Sequence, residues 1–141
     1  MADRIQVLAN KMTTYSASTY SKELNIGVQE ARVLIVLVRL GEISANEICE
    51  FGKMDKGNVS RAINGLVKKG NVTEKLNPTD KRSVNLKITP GGMKLYFRIK
   101  VLSDIREKRF ISSLSTMERE TLPKTLDKLE LVIDDMLEGS R

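Results

Sequence analysis

Histidine and tryptophan are both absent from the 141 residues, and cysteine occurs once, at Cys49. Without histidine, acid–base or nucleophilic chemistry built on an imidazole is excluded. One cysteine forms no internal disulfide, and the chain has no cluster of soft ligands to hold a metal. No catalytic, cofactor or metal site is therefore expected. Aromatic residues make up only 4% of the chain and apolar residues 40%, a balance ordinary for a helical globular protein and too apolar for a disordered one. No apolar run approaches the roughly 20 residues of a membrane span. The longest, Val33 to Val38, is followed at once by Arg39. Asp3 and Gln6 stand where a signal peptide would carry its apolar stretch, so a cytoplasmic protein is expected.

What the chain does have is positive charge in one place. Between Lys53 and Lys87 there are nine basic and three acidic residues, a local excess equal to the whole net charge of +6. From Ser115 onward the balance reverses, with four basic and seven acidic residues. A basic middle between neutral and acidic flanks suggests one surface aimed at a polyanion, with a merely solvated basic face as the alternative.

Hydrophobic spacing divides the chain into helices and one hairpin. Ile5, Leu8, Met12 and Tyr15 fall on one face of a helix over residues 3–22. Residues 29–40 are apolar nearly all round, which predicts a buried central helix stopped by Gly41. Ser44-Ala45-Asn46-Glu47 fits a capping box that opens a short helix, with Ala45, Ile48 and Cys49 inward and Gly52 at its end. Asp55 is a candidate N-cap for a longer helix with Val59, Ile63, Leu66 and Val67 inward, ended by Gly70. The period then changes to two over Val72 to Leu76 and Val84 to Ile88, around the polar loop Asn77 to Arg82. Thr89 and Pro90 open a further helix to about Ile111, carrying Leu95, Ile99 and Leu102 on one face. Ser115-Thr116-Met117-Glu118 is a second capping box. Behind it Leu122, Leu126, Leu129, Ile133 and Met136 make a heptad-like seam, and Pro123 is expected to kink that helix or delay its start.

Two helices joined by Gly52-Lys53-Met54 suggest a helix-turn-helix, in which the second helix lies in the major groove. Its outward candidates are Lys56, Asn58, Ser60, Arg61, Asn64 and Lys68. Lysine and arginine neutralise phosphates or reach guanine, and asparagine pairs with adenine. A β-ribbon with Lys81 and Arg82 at its tip suits the phosphate backbone or a minor groove, and Asp80 can orient the Arg82 guanidinium.

The run from Met54 to Gly70 resembles the recognition helix of the MarR family of bacterial regulators. Asn77-Pro78-Thr79-Asp80-Lys81-Arg82-Ser83 resembles that family's wing, with its recurring Asp-x-Arg-Ser/Thr. Ile88-Thr89-Pro90-Gly91-Gly92 resembles the Leu-Thr-x-x-Gly that opens its next helix. The resemblance extends over nearly the whole chain in length and helix order. It implies a mainly α (α+β) fold: one domain over 1–141, with a winged helix-turn-helix at about 29–89 and a small β-hairpin wing. Flanking dimerisation helices would occupy about 3–25 and 90–138. It also implies a cytoplasmic homodimer that regulates transcription from a pseudo-palindromic double-stranded operator, most often as a repressor. The sites it implies on DNA are Lys56, Asn58, Ser60, Arg61, Asn64, Lys68, Asp80, Lys81, Arg82 and Ser83. A small aromatic or phenolic effector is a further implied partner, with Met12, Tyr15, Tyr20 and Arg32 as candidate contacts. The cysteine in the first helix of the family's peroxide sensors is missing, and so is the tryptophan of its urate-responsive members. The alternative function is a protein-interaction adaptor that keeps the fold without operator recognition.

Overall fold

A computed structural model describes residues 1–77 and 84–139. The elements run α1 (Ala2–Leu24), α2 (Val28–Leu40), β1 (Ile43–Ser44), α3 (Ala45–Gly52), α4 (Lys56–Lys68), β2 (Val72–Leu76), β3 (Val84–Ile88), α5 (Pro90–Ser112) and α6 (Thr116–Glu138). Helices with one small antiparallel sheet make the fold mainly α, as the sequence predicts. The backbone divides into two compact units, Met1–Leu102 and Ser103–Arg141.

The core of the first unit is built around α2. Ala31, Val33, Leu34, Val36 and Leu37 are buried on it, which accounts for its nearly continuous apolar sequence. Ile48 of α3 and Val59, Ala62, Ile63 and Leu66 of α4 pack into the same cluster. Each valine, leucine or isoleucine among them taken fully out of water contributes about 1.5–3 kcal/mol. Gly41 ends α2 at φ 83°, and Gly70 follows α4 at φ 72°. The caps form as the sequence predicts. The Ser44 hydroxyl accepts the Glu47 amide while Glu47 returns to the Ser44 amide, and Ser115 and Glu118 repeat the pattern. Asp55 accepts the Asn58 amide at 2.9 Å.

β3 pairs with β2 from Val72 opposite Ile88 to Leu76 opposite Val84. A third strand is present that the sequence reading did not include. Ile43 and Ser44 pair with Leu86 and Asn85, giving the order β1-β3-β2. Two residues are too few to show a period, so nothing local announces this strand. Past the sheet, the buried Gly92 brings α5 against the backbone of Asn71. A Cβ at Gly92 would overlap the Asn71 carbonyl oxygen and the Ile88 side chain.

Two local expectations change. Ala45 faces out rather than in, because the first turn of α3 is at the surface and only Ile48 is fully buried. Gly52 ends α3 as expected, and the left-handed residue after it is Lys53, at φ 47°. Gly52 serves another need: a Cβ there would lie 2.9 Å from Met54 Sδ. α6 starts at Thr116 and continues through Pro123. The Ser115 cap opens the helix well ahead of the proline, which removes only one backbone bond at an exposed position.

In the second unit α6 buries no residue at all. Its seam residues Leu122, Leu126, Ile133 and Met136 are exposed, as are Ile5, Leu8 and Tyr15 of α1.

Candidate nucleic-acid interface

α3, the turn Gly52-Lys53-Met54 and α4 form a helix-turn-helix. Two backbone bonds close the turn: Met54 donates to the Cys49 carbonyl at 3.0 Å and Lys53 to that of Glu50 at 3.4 Å. This pairing closes a helix around a left-handed residue. Met54 is then buried beneath the turn. Arg32 of α2 reaches across and donates to the Gly52 carbonyl at 2.8 Å.

α4 buries Val59, Ala62, Ile63 and Leu66 and turns its other side outward. Lys56, Ser60, Arg61, Asn64 and Lys68 are exposed on it. Arg61, Asn64 and Lys68 share one stripe by their spacing. The helix spans about 20 Å at 1.5 Å per residue, and a B-form major groove is about 12 Å wide. Asn58 differs from the outward position expected of it: it is half-buried, and its Oδ1 accepts from the Arg61 guanidinium at 2.8 Å. A Cβ at Gly57 would stand tightly, at 3.2 Å, against the capping oxygen of Asp55 and in ordinary contact, at 3.5 Å, with an Arg61 nitrogen. A cleft of about 320 Å³ lies alongside, between Gly27, Gln29 and Glu30 at the start of α2 and Asn58, Arg61 and Ala62 of α4.

A second recess lies between α4 and the hairpin. Ser60 and Asn64 line it with Glu74 of β2 and Val84 of β3. Glu74 is the one acidic side chain among the lining residues. Asp80, Lys81, Arg82 and Ser83 fall at 78–83, outside the described residues.

The four candidate effector contacts differ in their settings. Tyr15 lines an open recess on α1 with Val7, Asn10, Lys11 and Thr14. Met12 is half-buried, Tyr20 is buried, and the Arg32 guanidinium is engaged at Gly52. Cys49 is partly buried against the core as a free thiol. Sequence reasoning missed the Arg32 tie and the partner of Arg61. The first joins residues 20 positions apart and carries no local signal. The second is an i,i+3 pair that helical spacing makes available.

The arrangement defines a winged helix-turn-helix protein. A family model described as the MarR family matches residues 24–83. Among curated proteins, the chain is 32% identical over 97 residues to one named for regulation of the hcr operon in Thauera aromatica, covering 69% of this chain and 58% of that one. It is 29% identical over 89 residues to the multiple antibiotic resistance protein MarR of Salmonella typhimurium, covering 63% and 62%. The chain thus spans about three fifths of the length of these curated relatives. Among solved structures, a MarR/EmrR family transcriptional regulator from Acinetobacter sp. ADP1 superposes with a TM-score of 0.85 at 28% identity, over 95% of this chain and 94% of that one. A mutant MarR from E. coli complexed with operator DNA superposes with a TM-score of 0.79 at 26% identity, over 90% and 91%. The chain is thus similar to the MarR family over its helix-turn-helix in sequence and over nearly its whole length in fold. Among the described residues no helix is long and apolar enough to cross a membrane.

Proposed function

We propose that this chain is a homodimeric, sequence-specific regulator of transcription that binds a pseudo-palindromic duplex and releases it in response to a small molecule, acting as a repressor. The observation that carries the reading is α4, a capped helix with Lys56, Ser60, Arg61, Asn64 and Lys68 exposed opposite a buried apolar face. It holds the residue types that read base edges and neutralise phosphates in a helix that fits a major groove. The similarity to a MarR bound to operator DNA supports the same use of this surface. Lys81 and Arg82 would add backbone or minor-groove contacts from the wing. Support for a homodimer comes from the uncovered seams of α1 and α6, since apolar stripes of that length suit partner helices. The effector class that fits the family resemblance is a small aromatic or phenolic molecule, with Tyr15 as the exposed aromatic side chain closest to hand on α1.

Selection of bound duplexes from a random library tests the reading. A regulator enriches one inverted-repeat sequence with half-sites about one helical turn apart. Its affinity falls steeply with salt, and Arg82→Ala shallows the slope by about 0.9 per lost phosphate contact. No enrichment at moderate salt would instead indicate an adaptor that keeps the fold without operator recognition.

A further inference from the structure

An ion pair braces α4 against α2 along the flank of its exposed stripe. Glu30, near the start of α2, accepts from Lys69 Nζ at 3.0 Å on both carboxylate oxygens and from the Gly27 amide at 2.8 Å. Lys69, which ends α4, also donates to the carbonyl of Asn25 at 3.1 Å. Asn25 is the left-handed residue that closes α1. The Glu30 side chain is only 12% exposed. Its carboxylate rests on Gly65 so closely that a Cβ there would overlap Oε1. A carboxylate held by two separate donors thus stands between α2 and α4 at this point. Gly65 follows Asn64 and lies one turn beyond Arg61.

Resting on the reading that α4 enters a major groove, we propose that Glu30 and Lys69 are positioning residues for sequence discrimination, fixing the height of α4 so that Arg61 and Asn64 meet base edges. Hydrogen bonds to base edges hold only within about 2.7–3.2 Å. Neutralisation of phosphates by long lysine and arginine side chains tolerates larger displacements, because it is a summed electrostatic effect. Loss of the brace thus degrades the choice between sequences before it degrades general attraction to DNA. Glu30 carries negative charge and contacts no phosphate in this account, so its effect acts entirely through α4.

The test uses the full chain, a duplex enriched from a random library, and a scrambled duplex of equal length and composition. Glu30→Gln keeps the side-chain volume and Lys69→Met keeps the stem. Each should lower the ratio of the two affinities about tenfold or more, while leaving affinity for the scrambled duplex within about twofold. A fall in the salt slope of about 0.9 in Lys69→Met alone would make Lys69 a phosphate contact and overturn the proposal. Gly65→Ala supplies an independent arm. Alone it should lower the ratio, because its methyl group displaces the carboxylate. In a Glu30→Ala background it should cost far less, because the methyl occupies vacated space. Additive effects in that cycle, read on the ratio and on thermal unfolding, would also overturn the brace. If Gly65→Ala alone does not fold, recovery of folding in the double variant reads the same contact. A wild-type chain with no preference between duplexes removes the groove reading and this inference with it. A selective wild type whose Glu30→Gln and Lys69→Met variants are equally selective removes this inference alone.

Discussion

The Arg61 guanidinium donates to Asn58 Oδ1 at 2.8 Å, one turn back along the same helix. Asn58 in turn has its amide held by the Asp55 carboxylate that opens the helix. The cap, the asparagine and the arginine form one chain of hydrogen bonds across the first two turns of α4. An arginine oriented in this way loses less side-chain freedom when it meets a planar acceptor such as a guanine edge.

Arg61→Ala should weaken binding to the enriched duplex by about 1–3 kcal/mol and relax preference at one base position. Asn58→Ala should cost less, because the guanidinium remains and only its orientation is lost. Titration of both variants against the enriched duplex and single-base variants of it checks this. Equal loss at every base position would make Arg61 a phosphate contact instead.

Gly92→Ala should destabilise the first unit by about 1–3 kcal/mol, because its methyl group meets the backbone of Asn71. Backbone cannot swing aside as a side-chain tip can. Urea unfolding gives the value, and a variant as stable as wild type would show that α5 does not pack this closely.

Leu126→Glu or Ile133→Glu should halve the mass seen by sedimentation equilibrium while leaving the helical circular-dichroism signal of α6 in place. Both side chains are exposed in a single chain, at 44% and 54%, so neither substitution disturbs that chain's own core. A wild-type monomer would remove the dimer reading. An unchanged dimer in both variants would move the interface away from this seam.

Acid should loosen α3 and α6 at their starts. The backbone amide of Ser44, and then its hydroxyl, hold the Glu47 carboxyl below its ordinary range. Ser115 does the same for Glu118. A carboxylate with a lowered folded-state pKa contributes stability that is present above its ordinary value and lost as pH falls through the lowered one. Carboxyl-carbon NMR titration should place both midpoints below the ordinary glutamate value. Ser44→Ala should move that of Glu47 upward.

The features legible in the sequence were those whose cause is local. Ser44 with Glu47, Asp55, and Ser115 with Glu118 mark helix starts because the cap bonds to an amide three residues away. The apolar run of α2 announced a buried helix because nothing else explains such a composition. What escaped notice depends on partners distant in the chain. β1 exists only through its pairing with β3, Arg32 closes α3 from another helix, and Glu30 meets Lys69 across 39 positions. Asn58 shows a subtler limit: helical spacing set it outward, but the Arg61 side chain folds over it. Periodicity locates a Cβ, not the long side chain that covers it. The outward stripe of α4 was readable for the complementary reason, since its Cβ positions alone decide which residues face away from the core.

Ser44 holds three positions at once. It ends β1, pairs with Asn85 of the wing's inner strand, and caps α3. The sheet and the first helix of the motif therefore meet in one residue that belongs to both. A change at Ser44 would therefore be felt at the sheet edge and at the start of α3 together.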